Sequence, residues 1–268
     1  MKKLLNSAIL LAKSMSAFCA DTRKGRIFAG FAFFTATALF AQSPSAMELL
    51  ARVDDNEIYT TIQYEGDMIV ENKGKRFVKT MKAWARGNAD SFIEFINPED
   101  IGTKYLKKGK QLSVYSPDLE EVMFISGHML RESMMGSDLS YEDTIENERL
   151  SVRYVPVLAG ENIFNGRQTW ILDLVAKDKA KENYYKRKLW IDKENGDLVH
   201  YELFALSGAK LKEYTLIRAE VFGNKRFPVQ SEMRDLLRKG SKTTFVIHNV
   251  ILDQPISDSM FSQQNLEK

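Results

Sequence analysis

The residues of this 268-residue chain with the most distinctive chemistry are three histidines, one cysteine and eleven methionines, and their spacing narrows what they can do. His128, His200 and His248 are far apart and Cys19 is alone, so the sequence offers neither a metal-ligand set nor an internal disulfide. His128 follows Ser126-Gly127, but a serine two residues from a histidine, with no identifiable acid to orient the ring, is not a triad. The G-x-S-x-G, H-E-x-x-H, P-loop and G-x-G-x-x-G signatures do not occur. Catalysis is therefore not expected, and His200 and His248, in strand-like runs, read as satisfied structural histidines. Asp138, Glu142 and Asp143 gather negative charge without the order of an EF-hand loop, so they read as helix caps and a solvated face. No cofactor or metal is expected.

The methionines suggest a different use. Ile125 to Thr144 follows neither strand nor helix periodicity, and it collects Met129, Met134 and Met135 beside Leu130. Gly127 and Gly136 bracket a short helix, and Ser137 or Asp138 can cap a second. Such a cluster is either ordinary core filler or, since thioether side chains are flexible, a hinged plug over a cavity with variable contents. The expected lid residues are Met129, Leu130, Met134 and Met135.

The elements that would position this segment read as strands. A short helix is expected over Ala46 to Val53. Hairpins follow, Ile58–Glu71 with Arg76–Arg86 and then Ser91–Ile96, Gly102–Leu106, Gln111–Tyr115 and Glu121–Ile125, each ended by Gly, Asn, Asp or Pro. The second half repeats the habit in Leu150–Leu158, Arg167–Ala176, Tyr184–Asp192, Leu198–Leu206, Lys210–Phe222, Arg226–Leu236 and Ser241–Leu252. No Gly/Ser- or Pro-rich linker divides them. The reading is a mainly β, α+β chain with one large antiparallel sheet that must curl or close.

Ile27 to Phe40 is fourteen residues without a charge, preceded by Arg23, Lys24 and Arg26 and followed by Ala41, which reads as a secretory signal. Cleavage after Ala41 or after Ser45 fits, and the long stretch ahead points to Met15 or later as the start. The domains are then residues 1–41, signal and extension, and 42–268, a single folded body. Loss of six basic residues and one acid from residues 1–41 leaves 32 basic and 35 acidic residues. A slightly acidic body has no electrostatic motive for nucleic acid. Cys19 is lost with the signal.

Ser91-Phe-Ile-Glu-Phe-Ile-Asn-Pro98, Gly102-Thr-Lys-Tyr-Leu-Lys107, Ile125-Ser-Gly-His-Met-Leu-Arg131, Ser133-Met-Met-Gly-Ser-Asp138 and Ser140-Tyr-Glu-Asp143 together resemble the LolA-like outer-membrane lipoprotein-sorting family. The likeness extends through Leu189-Trp-Ile-Asp192 to Asp258-Ser-Met-Phe261 and Leu266-Glu-Lys268. It implies a strongly curved, unclosed antiparallel β-barrel with short helices covering the concave face and an apolar cavity for acyl chains. It also implies a periplasmic, monomeric carrier of acylated lipoproteins or lipids, working with an inner-membrane transporter and an outer-membrane acceptor. Relatives with this fold also serve in envelope-stress sensing or assist lipid transporters, which is the alternative function. By strand face, the expected cavity wall is Ile62, Tyr64, Trp84, Phe95, Trp170, Leu172, Phe204 and Met233, each of which could equally be plain core.

Overall fold

The computed structural model describes residues 43–56, 59–146 and 148–268; the expected signal segment lies outside these residues. Ser43–Lys268 forms one compact unit. Its strands are β1 Thr61–Asn72, β2 Lys75–Arg86, β3 Asp90–Phe95, β4 Lys104–Lys108, β5 Gln111–Ser116 and β6 Glu121–Ile125, followed by β7 Tyr154–Phe164 and β8 Arg167–Ala176. Then come β9 Lys186–Asp192, β10 Leu198–Phe204, β11 Lys210–Phe222, β12 Lys225–Asp235 and β13 Ser241–Leu252. The turns are built as two-residue hairpins require: Lys73 and Gly74 both have positive φ, 48° and 79°, the geometry that matches the strand twist.

All thirteen strands join one antiparallel sheet in the order β6-β5-β4-β3-β2-β1-β13-β12-β11-β10-β9-β8-β7. The chain starts at the middle of the sheet and walks outward to β6. It then crosses to the far edge at β7 and walks back until β13 pairs with β1, as in Met68 opposite Phe245. The end strands β6 and β7 do not pair, so the barrel stays open. This order has a direct consequence for residues 126–153, which must travel from one free edge to the other across a face of the sheet.

The inner face is set by strand parity. In β1 the residues Ile62, Met68 and Val70 are buried, and their cross-strand partners in β2 are Ala85, Lys79 and Phe77. Helix α1, Ala46–Asn56, covers the far half of that face. Its start is a capping box, Ser45 N donating to Glu48 Oε2 at 2.7 Å and Glu48 N to Ser45 Oγ at 3.2 Å. Leu49, Leu50 and Val53 fall on one side and enter a cluster with Leu172, Leu174, Leu189 and Ile191. Each such fully buried aliphatic side chain contributes about 1.5–3 kcal/mol of burial.

Two short helices complete the crossover, α2 Tyr141–Ile145 and α3 Leu150–Arg153. The expected strand Leu150–Leu158 therefore starts late. The Asp54 carboxylate accepts the amides of Leu150 and Ser151 at 2.8 and 3.0 Å, which holds the first residues in a helical turn. The second expected cap also moves: Ser140, rather than Ser137 or Asp138, opens α2, in a capping box with Asp143. On the outer face, the turn Asp258–Phe261 and helix α4, Gln263–Leu266, lay Phe261 and Leu266 on Phe92 and Leu106.

Candidate functional site

The inner face carries two apolar regions with different covers. Over the β1–β6 half lie Met68, Val70, Met81, Phe95, Tyr105, Leu112, Val114 and Ile125. The crossover covers them with two 3-10 turns, Gly127–Arg131 and Met134–Gly136. Met134 is buried in this cluster, and Met129, Leu130 and Met135 pack against it half-buried, so all four expected lid residues meet there. Met135 has φ 52° beside Gly136 at 77°, a left-handed conformation that costs a non-glycine residue energy.

Polar side chains fasten this lid to the opposite half. The Thr243 hydroxyl donates to Asp138 Oδ2 at 2.6 Å, and Asp138 Oδ1 accepts the Asp235 amide at 3.0 Å. The Arg238 guanidinium donates to the carbonyls of Gly136 and Ser137. Lys212 Nζ stands 2.6 Å from Asp143 Oδ2, and the Tyr184 hydroxyl donates to Asp143 Oδ1 at 2.6 Å. Burial works to raise the Asp143 carboxyl, but the Lys212 ammonium and the Tyr184 and Ser140 bonds outweigh it, and the group lies below its ordinary value. Glu146 behaves alike: burial opposes its charge, and Arg187 and Arg153 hold it below the usual range. Arg187 Nη2 reaches both Glu146 oxygens at 2.8 Å, while Arg153 also pairs with Glu182.

Two cavities open beside this latch. A polar one of about 410 Å³ is walled by Lys107, Asp143, Glu146 and Arg187, with Leu198 and Tyr201 at one side. An apolar groove of about 270 Å³ runs between α1 and strands β10–β12, along Val53, Tyr59, Tyr214, Leu216 and Phe227. Leu198 and Tyr201 line both spaces. Tyr201 and Tyr214 stack at 4.8 Å with rings nearly parallel.

The expected wall residues surround these spaces more than they line them. Ile62 and Tyr64 share a cluster with Phe227, and burial pushes the Tyr64 phenol up to about 12. Leu172 and Trp170 belong to the α1 cluster, with Lys193 Nζ 3.9 Å above the Trp170 ring. Phe95 lies under the lid, and Met233 is buried opposite Tyr214 and Thr243. Trp84 and Phe204 need correction. Trp84 pairs with Gln63 and Phe92 and packs with the C-terminal turn on the outer face. Phe204 alternates with inward Leu203 and shares the outward parity of Glu202.

The open spaces use residues that the sequence reading passed over, Tyr59, Leu198, Tyr201, Leu216 and Phe227, together with the inward charges Lys107 and Arg187. A signal for the charges existed: Arg187 shares the parity of Leu189 and Ile191, and Lys107 that of Tyr105. A charge at an apolar position of an alternating strand marks a polar interior. On the outer face, His200 is enclosed by Phe164 and Trp190, with Nδ1 3.0 Å from Thr215 Oγ1, and burial lowers its pKa. Its neighbours Glu202 and Glu213 each bond Lys210 Nζ at 2.8 Å, so an ammonium already supplies the positive charge there.

The family model for an uncharacterized protein family matches residues 87–268, which include the whole lid, the latch and strands β3–β13. The chain belongs to that family. A DUF1329 family protein from Desulfovibrio piger superposes with a TM-score of 0.75 at 26% identity, covering 82% of this chain and 97% of its own. A “putative outer membrane lipoprotein-sorting protein domain” from Vibrio parahaemolyticus gives 0.71 at 22% identity, over 83% and 97%. A LolA superfamily protein from Nitrosomonas europaea gives 0.67 at 18%, over 83% and 100%. The fold is LolA-like. No curated protein matches the sequence.

Proposed function

We propose that this protein is a periplasmic carrier that shelters acyl chains of lipoproteins or lipids in its inner hollow for sorting to the outer membrane. The observation that carries the proposal is an inner face with an apolar groove open beside α1 and, over its other half, a cover of flexible methionines fastened by polar bonds. The shared fold with a protein described as a lipoprotein-sorting domain supports the same reading. Cargo would come from an inner-membrane transporter and pass to an outer-membrane acceptor.

The energetics suit loading and release. Each sheltered methylene contributes about 0.8 kcal/mol, so a sixteen-carbon chain gains on the order of 10 kcal/mol. Full retention of that gain would make delivery too slow. The methionine cover offsets part of it where a tail extends beyond the open groove, because the tail must then displace Met134 and its neighbours from their own apolar contacts. The left-handed Met135 lowers the cost of that displacement.

The test is transfer from a membrane. The protein without residues 1–41 is incubated with vesicles that carry a triacylated lipoprotein, and the supernatant is analysed by native mass spectrometry. A soluble one-to-one complex is the expected result. Failure to release lipoprotein, together with no bound lipid after native purification, overturns the proposal.

A further inference from the structure

The polar cavity contains a charge that the fold leaves unmatched. Its acids are all engaged: Asp54 by the Leu150 and Ser151 amides, Asp90 by Arg86 and Lys108, Asp143 by Lys212, Glu146 by Arg153 and Arg187, and Glu148 by Lys110. Lys107 differs. It is only 7% exposed on the inner face of β4, and its Nζ reaches the Glu146 carbonyl oxygen at 3.4 Å, a weak contact. Among the described residues, no carboxylate lies within 4.0 Å of it. Arg187, 9% exposed, is by contrast engaged, with Nη2 on Glu146 and its guanidinium over the Tyr154 and Tyr184 rings at 4.9 and 5.5 Å.

Buried donors of this kind are costly unless something accepts their hydrogen bonds. Burial accordingly pulls the Lys107 ammonium below its ordinary value, against the pull of Glu146 and Asp90. An anionic oxygen in the cavity would satisfy the Lys107 ammonium through a charge-assisted bond. The cavity also adjoins the apolar groove across Leu198 and Tyr201, so head and tail of one molecule can occupy the two spaces together.

We propose that Lys107 forms a subsite for the anionic head, phosphate or carboxylate, of an amphiphile whose hydrocarbon tail lies in the groove between α1 and Phe227. The inference rests on the acyl-sheltering reading above and narrows its ligand to an anionic one. Tail burial supplies affinity, and the head supplies the choice among lipids.

Calorimetric titration of the protein without residues 1–41 tests this with 1-oleoyl lysophosphatidic acid, with monoolein, which has the same tail and an uncharged head, and with inorganic phosphate. One charge-assisted hydrogen bond corresponds to a preference of about ten-fold or more for the anionic lipid. Lys107→Met should bring the ratio close to one and Lys107→Arg should restore it. Equal binding of the two lipids to the wild type, or an unchanged ratio in Lys107→Met, overturns the subsite while leaving the acyl-sheltering reading intact. Binding of neither lipid overturns both. Phosphate bound without either lipid would mean a free-anion site, and the amphiphile assignment falls. The wild-type ratio decides even if a variant does not fold.

Discussion

The two halves of the inner face are both apolar, yet they are covered in opposite ways. Over β7–β9 sits α1, an eleven-residue helix that inserts Leu49, Leu50 and Val53 almost completely. Over β1–β6 lies a segment of single helical turns that fully buries one methionine, holds Met135 in a left-handed conformation, and depends on Asp138, Asp143 and Arg238 for its attachment. The contrast separates structure from function. A regular helix seated by hydrophobic contact leaves only at the cost of its buried area, whereas side-chain hydrogen bonds exchange for bonds to water at small net cost. On the proposed carrier reading, the first cover stays in place and the second opens.

Asp143→Ala should strike that contrast hardest. It leaves the Lys212 ammonium buried without its partner, a loss of about 3–5 kcal/mol. Hydrogen exchange should then accelerate in residues 126–146 and leave α1 and β8 protected. Equal acceleration in both halves would mean that the lid is no separate unit. Leu172→Ala should instead weaken the permanent half, lowering global stability in urea by about 2–5 kcal/mol, because its side chain is fully buried beneath α1. A purely local effect there would reverse the assignment. Asp54→Ala removes the cap that ties α1 to α3 and should cost about 1–2 kcal/mol by the same measurement.

Acid is the gentlest probe. Asp143 and Glu146 both have folded pKa values below their ordinary ones. The stability they contribute is therefore present above the unfolded carboxylate range, about 4, and is lost as pH falls through the lower folded values. Exchange followed from pH 6 downward should show the lid loosening in that acidic window before α1 does. Simultaneous loosening would show that the latch is not what sets the lid apart.

Much of the architecture was legible from local chemistry. The Gly, Asn and Pro punctuation marked the strands, so β1, β2, β8 and β13 stand close to where alternation places them. The helix expected from Ala46 continues to Asn56. The methionine segment was visible as the stretch that breaks the pattern, and its four apolar residues do share one cluster. Parity misled at Trp84, because an aromatic residue among alternating residues does not reveal which face is inside; pairing of Ile62 with Ala85 turns Trp84 outward. The groove escaped notice for a related reason. Tyr59, Tyr201 and Phe227 are far apart in sequence and meet only because β10, β11 and β12 lie beside each other under α1.

The sequence alone determined that this chain makes a long antiparallel sheet with an irregular, methionine-rich insertion, because turn residues and strand alternation are local properties. Only the tertiary structure decided where that insertion goes and what it covers. The strand order puts β6 and β7 at opposite free edges, so the connection between them has to span the inner face. The same pairing brings Lys107 and Arg187 from distant strands to one cavity beside the Tyr201 groove. Burial and neighbouring charge are properties of the assembled sheet, and no residue carries them in its own name.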